Sequence, residues 1–305
     1  MRTFLIKIFC FGVGFLVFDK ILIPVRNHSP KLEVDKRLEQ IVVGQIDADI
    51  LIFGSSRGAR SVVAYQIEES LNRSCYNLSY PGSHIVFHEY LLREVLGHRK
   101  NTKPSTIVLV VDDADVFKEA VSLDFRLDRL FPLVKYPSIR SELVRRGQKK
   151  WGFNEILVSH QINRSFLFME QKQFSERDFI LPCGSMLLDH QKPGLDFQYD
   201  DTPNSYSTDG ELTPKVAAFD GFVSLCRENQ LDLVVAITPN FRPATDGFKE
   251  RLERQLNGYG TVFEFDSSVP EYRDHHYYYD YNHLQKNGAH LYTGELIDEI
   301  RSGSR

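Results

Sequence analysis

Ala48-Asp49-Ile50-Leu51-Ile52-Phe53-Gly54-Ser55-Ser56-Arg57 is the stretch on which the fold turns. A short apolar run ends at a glycine, two serines follow, and helical spacing then begins with Val62, Val63, Ile67 and Leu71. That order reads as a strand, a tight turn and a helix over residues 57–71. The unit recurs. Residues 75–78 form a second short strand that runs into Ser79-Tyr80-Pro81-Gly82-Ser83, and residues 84–96 resume helical periodicity. Thr106-Ile107-Val108-Leu109-Val110-Val111 is a continuous run of the kind buried on both faces of a parallel sheet, and it ends in Asp112-Asp113. Late in the chain come a helix over 216–229, a buried strand over 231–237 stopped by Pro239, a helix over 247–256, a short strand over 261–265 and a closing helix over 284–300. Strands alternating with helices predict an α/β protein, a three-layer α/β/α sandwich around a mostly parallel sheet, with ligands bound beyond the carboxyl ends of the strands. Residues 116–206 break the alternation and read as an inserted cap.

The 305 residues are 42% hydrophobic, 26% charged and 12% aromatic, a globular composition with enough length for a sizeable core. It excludes wholesale disorder, a fibrous repeat and a polytopic membrane protein. With 37 Lys and Arg against 41 Asp and Glu, the formal charge is -4, which offers no phosphate-binding excess and argues against nucleic acid as a partner. The amino end stands apart. Residues 4–18 carry a single charge, Lys7, and Ile21-Leu22-Ile23-Pro24-Val25 follows the Asp19-Lys20 pair. This segment can span a bilayer of roughly 20 residues if the two charges snorkel or pair. No small-x-small cleavage site follows Phe18, so residues 1–25 read as an uncleaved anchor rather than a signal peptide. Arg2 and Lys7 place the amino end in the cytoplasm and the remaining chain outside. The alternative is a buried amphipathic helix. Residues 26–46, charged and containing Pro30, read as a stalk before a domain over 47–305. Cys75, Cys183 and Cys226 are widely spaced and lack any CxxC pattern, which argues against a zinc site; Cys75 and Cys226 lie in apolar runs and read as buried thiols.

Two sites carry chemistry. A serine in Gly54-Ser55-Ser56-Arg57 sits where a helix begins, beside free backbone donors able to stabilise an oxyanion. The competing role is a helix cap by Ser55 or Ser56. No Gly-Lys-Ser/Thr follows, so a phosphate-binding loop is poorly supported. Near the carboxyl end, Asp280-Tyr281-Asn282-His283 spaces a carboxylate and an imidazole so that both can face one side. A serine hydroxyl is hardly ionised at neutral pH and needs such a base, whose protonated form the carboxylate stabilises. Here the competing reading makes Asp280 or Asn282 the cap of the last helix.

Taken together these segments resemble the SGNH, or GDSL, hydrolases over residues 47–115 and 206–300. Gly54-Ser55-Ser56 resembles the first block, usually Gly-Asp-Ser, with Ser56 as nucleophile and Ser55 in the Asp position. Asn77-Leu78-Ser79 followed by Gly82 resembles the second, whose glycine amide contributes to the oxyanion hole with that of Ser56. Asp280-x-x-His283 followed by Gly288-Ala289 resembles the last, with His283 as base and Asp280 orienting it. The resemblance implies a flavodoxin-like fold, an acyl-serine mechanism and no cofactor. It departs at the third block: where the family has Gly-x-Asn-Asp, this chain has Val110-Val111-Asp112-Asp113, and an ionised carboxylate would repel an oxyanion. Asp112 and Asp113 are therefore a third oxyanion position, helix caps or supporting polar residues, and Ser83, Ser55 or the Arg57 amide are substitute donors. The amino-terminal anchor narrows the likeness to proteins of teichoic-acid D-alanyl transfer and alginate O-acetylation. It implies an extracytoplasmic esterase or O-acyltransferase on cell-envelope polysaccharide, often beside a multipass O-acyltransferase. The alternatives are a non-catalytic polysaccharide-binding or assembly subunit and, more weakly, a nucleotide-binding turn at Gly54. Tyr277, Tyr278, Tyr279 and Tyr281 read mainly as packing and His275 and His276 lack further metal ligands. Arg57 and Arg60 read as a solvated helix face, the alternative being a hold on an anionic polymer.

Overall fold

The computed structural model describes residues 1–99, 104–162, 179–196 and 198–303, so part of the segment expected as an insertion lies outside the described residues. Five parallel strands form the central sheet: β1 (Ile50–Phe53), β2 (Cys75–Asn77), β3 (Thr106–Val111), β4 (Asp232–Ile237) and β5 (Thr261–Glu264), in the order β2-β1-β3-β4-β5. This is the flavodoxin-like three-layer arrangement expected from the alternation. Successive side chains point to opposite faces, and both faces are covered. Ile50, Ile52, Val108, Val110, Val234 and Ala236 pack with Ile67, Tyr292, Leu296 and Ile300, from helices Ala64–Leu71 and Lys286–Gly303. On the opposite face Phe53 meets Phe222 of helix Thr213–Glu228 edge to face, with ring centres 5.5 Å apart. That helix packs on Ile85–His98. Strand order reverses between β1 and β3, which places the switch-point crevice between their carboxyl ends.

The helix expected over 57–71 is two helices, Ser56–Ser61 and Ala64–Leu71. Val62 and Val63 are extended between them and fully buried. The break is stabilised by side chains that take over the lost backbone partners: Val63 N–H donates to Thr293 Oγ1 (3.0 Å) and Ala64 N–H to Ser185 Oγ (3.1 Å). A short antiparallel pair, β6 (Tyr278–Asp280) and β7 (His283–Leu284), precedes the last helix and had no counterpart in the periodicity.

The chain divides into two compact units, 43–125 with 175–305, and 1–42 with 126–174. Among the described residues, 126–162 hold helices and no strand, and those after 178 support the sheet unit: Met186 is buried and its N–H donates to Ala59 O (2.7 Å). Nor do residues 26–42 form a bare stalk. Arg37, 2% exposed, makes a two-pronged ion pair with Asp35 (2.9 and 2.7 Å), Arg129 binds Glu33 (2.6 Å) and Tyr136 Oη donates to Glu39 (2.7 Å). Charges that suggested solvent are paired inside this smaller unit. Its first helix, Arg2–Asp19, begins the one helical run among the described residues long and apolar enough to cross a membrane. The four cysteines are free, and Cys75 and Cys226 are buried.

Candidate active site

The sheet unit brings the carboxyl end of β1 and the β6–β7 turn together. Ser55 is extended and its hydroxyl accepts a long bond from Arg57 N–H (3.4 Å), so it is Ser55 that caps the helix Ser56–Ser61. Ser56 Oγ lies 2.9 Å from His283 Nε2. On the far side of the ring, His283 Nδ1 lies 2.8 Å from Asp280 Oδ1. The turn explains the juxtaposition: Asp280 Oδ1 also accepts from Asn282 N–H (2.9 Å), which folds the four residues tightly enough for the carboxylate to reach the imidazole. Gly288 then lets the closing helix approach, since a Cβ there would stand 2.4 Å from Tyr277 O.

The environment sets the charge states. His283 lies below its ordinary imidazole value chiefly because burial disfavours the cation, with Arg60 and Arg57 adding to this and Asp280 opposing it. Burial works against ionisation of Asp280, yet the hydrogen bond and charge of His283 and the Asn282 N–H hold its carboxyl below the usual range. The result is a neutral base, oriented by an ionised acid and in contact with a hydroxyl.

The second strand end supports this turn. Tyr80 N–H donates to Gly54 O (2.9 Å), which brings Gly82, in the left-handed region at φ 74°, beside the turn. The amides of Ser56 and Gly82 make no hydrogen bond among the described residues. Asn77, fully buried, donates to Gly58 O (3.0 Å) and Val62 O (3.2 Å), tying off the carboxyl end of the Ser56 helix. Gly58 is needed for this closeness: a Cβ would meet Ser79 Oγ at 2.5 Å. Ser83 Oγ is engaged with Tyr80 O (2.7 Å) and His88 Nε2 (2.8 Å).

At the third strand end the two aspartates are supporting polar residues. Neither aspartate is a donor to the Ser56 site. Asp112, 1% exposed, is bound by the Arg57 guanidinium and by Asn240 Nδ2 (2.7 Å), and Arg57 also reaches Asn240 Oδ1. Asp113 is bound by Arg242 (2.7 Å) and by the Thr245 hydroxyl. Burial, the Asp113 carboxyl's first perturbation, and the Asp112 charge push it up; burial and Asp112 likewise push Asp115 up to about 7, against the pull of Arg57 and Lys215. Arg57 is thus a partly buried counter-ion rather than part of a solvated face, its side chain 12% exposed. Asn240, just past the end of β4, escaped notice in the sequence; the signal that could have found it is a polar residue directly after the Pro239 stop of a buried strand. Tyr278 and Tyr279 are buried, as packing required, while Tyr281 is exposed. Asp274, His275 and His276 could offer metal donors within 4.8 Å of one another, but all three are exposed.

In comparisons with known proteins, no family model and no curated protein matches this chain.

Proposed function

We propose that the chain is a membrane-tethered, extracytoplasmic serine esterase or O-acyltransferase of the SGNH type, acting on acyl groups of cell-envelope polysaccharide. The observation that carries the reading is the continuous Ser56–His283–Asp280 relay at 2.9 and 2.8 Å. His283 Nε2 takes the hydroxyl proton as Ser56 Oγ attacks the acyl carbonyl, and Asp280 stabilises the imidazolium through Nδ1–H. The Ser56 and Gly82 amides receive the oxyanion. Collapse breaks the ester bond, His283 returns the proton to the leaving oxygen, and an acyl-serine remains. Water or a sugar hydroxyl, deprotonated by the same imidazole, then discharges it, so esterase and transferase differ only in that acceptor. The apolar amino-terminal helix supports tethering, and Arg2 and Lys7 support an extracytoplasmic catalytic unit. A multipass O-acyltransferase is the proposed supplier of acyl groups.

The test is labelling of the full chain with a serine-reactive fluorophosphonate, mapped by peptide mass. Adduct at Ser56, lost in Ser56→Ala and in His283→Ala, is the expected result. A folded wild-type chain that stays unlabelled, or a Ser56→Ala protein that turns over acyl esters at the wild-type rate, removes the reading and favours a binding role for the same crevice.

A further inference from the structure

We infer that the smaller unit carries a second membrane contact, a basic and aromatic patch over residues 140–156 that docks on the anionic headgroup surface around the anchor. The inference rests on reading Arg2–Asp19 as a membrane helix, and it concerns the unit formed by residues 1–42 and 126–174 alone.

The position comes from the end of the apolar helix. Asp19 closes that helix and is buried, yet its carboxylate is satisfied: Oδ2 accepts from Val158 N–H (2.6 Å) and Oδ1 from Ser159 N–H (2.8 Å), capping the short helix Val158–Gln161. Lys20 Nζ donates to Ile156 O (2.6 Å), and Arg26 binds Gln161 (2.9 Å). An 18-residue helix rises about 27 Å, close to the thickness of a hydrocarbon core, so its Asp19-Lys20 end lies at the headgroups. Ile156 is held at that level by the Lys20 contact.

Next to this point the surface is unusually apolar. In helix Trp151–Ile156, Trp151 is 76% exposed, Phe153 57% and Ile156 58%. Phe153 and Ile156, three residues apart, share one face of this helix and Trp151 opens it from another; six helical residues extend only about 9 Å, so the helix as a whole stays near the headgroup and acyl boundary, where Trp is favoured. The neighbouring charge has the matching sign. Residues 140–156 hold Arg140, Arg145, Arg146, Lys149 and Lys150 against Glu142 and Glu155, a local net charge of +3 in a chain whose overall charge is -4. Glu142 is buried and engaged by Arg145 (2.7 Å) and Arg146 (2.6 Å), and Arg140 pairs with Glu155 (3.6 Å), so the exposed cations of the patch are Arg145 and Lys150. Exposed aromatic and aliphatic groups flanked by cations are the composition of an interfacial binding surface, with apolar insertion and attraction to anionic lipid acting together. The occupant is therefore a bilayer containing acidic phospholipid; a protein partner is the competing occupant that the experiment separates.

Trp151 is the only tryptophan in the chain, so its fluorescence reports this patch alone. The full chain is placed in nanodiscs of phosphatidylcholine with or without phosphatidylglycerol, carrying a nitroxide lipid labelled near the headgroup. Co-elution with the disc reports the anchor; quenching of Trp151 reports the patch, so the two readings fail separately. Expected are a blue-shifted emission, protection from aqueous iodide, and nitroxide quenching about twofold or more stronger in the anionic discs. Lys150→Glu lowers that quenching, and Phe153→Asp abolishes it, with circular dichroism confirming the fold; Lys150 is exposed, so its variant remains informative if Phe153→Asp does not fold. Disc-bound protein whose Trp151 is untouched by the lipid nitroxide overturns the inference: free quenching by iodide then shows a patch that faces water, and protection from iodide shows one covered by protein.

Discussion

Asp280→Asn tests the relay at its most specific point. For His283 Nε2 to accept the Ser56 proton, the other ring nitrogen must carry the hydrogen. An ionised Asp280 enforces this because it can only accept at the 2.8 Å contact with Nδ1. An asparagine amide of the same shape can donate there instead, stabilising the tautomer with hydrogen on Nε2, which cannot act as a base. In a serine protease the equivalent change costs about 10⁴-fold. Here Asp280 and His283 side chains are 20% and 18% exposed, so partial solvation lets the ring sample its productive tautomer, and the expected loss is about 10³-fold, or about 4 kcal/mol of activation free energy. The assay is the second-order rate of fluorophosphonate labelling at Ser56, which needs no knowledge of the natural substrate. The wild-type rate should rise with pH as the imidazole loses its proton, through a midpoint below the ordinary 6.5, because burial and the two arginines lower it. Asp280→Asn removes the one carboxylate that raises it, so the midpoint of the residual rate should move lower still. A labelling rate within about threefold of wild type, with the fold intact, refutes the assigned role of Asp280.

Two other perturbations address the frame around the site. Arg57→Leu strands the buried Asp112 charge and should cost about 3–5 kcal/mol in urea unfolding, while Arg57→Leu with Asp112→Leu should recover most of it; a single variant of wild-type stability counts against the pairing. His88 is buried and its imidazole is pushed down to about 3, by burial first and then by His84 and Lys215. Only the unfolded chain takes up its proton between pH 6.5 and about 3, so stability falls as pH drops through that window, by about 2 kcal/mol at pH 5. His88→Gln should flatten this part of the profile, and an unchanged acid slope would show that other groups cause it.

Much of the candidate site was legible because it depends on local order. An apolar run ending in Gly54, with two serines before a helix, defines a strand end whichever way the rest folds, and the three-residue spacing of Asp280 and His283 needs only a tight turn to bring them into contact. The sequence could also frame the choice between Ser55 and Ser56, since one must cap if the other is to react. What it could not reveal were contacts made across strand ends. Arg57, Asp112 and Asn240 follow β1, β3 and β4, and become neighbours only once the β1-β3-β4 order exists. The break at Val62–Val63 was hidden for the same reason, because Thr293 and Ser185, distant in sequence, replace the helix's own hydrogen bonds. The β6–β7 pair is too short to show a period, and the charges of residues 33–39 read as solvated because their partners are tertiary.

The aspartates at the third strand end raise the question of how an oxyanion could form near a buried carboxylate. Asp112 is held by the Arg57 guanidinium, the Asn240 side-chain amide and the Ala114 N–H, so its field is largely cancelled before it reaches the Ser56 turn. That arrangement occupies the Asn240 amide and leaves the Ser56 and Gly82 amides as the donors of the proposed mechanism, with the loss of a third donor worth roughly 3 kcal/mol of transition-state stabilisation. The pairing also acts on the base. Arg57 lowers the affinity of His283 for its proton, and an Arg57 without Asp112 would do so more strongly, weakening the imidazole at the step where it must take the serine proton. The carboxylate that looks hostile to an acyl intermediate therefore moderates the cation beside Ser56, so under the proposed mechanism removing Asp112 alone should slow the attack of Ser56 rather than relieve it.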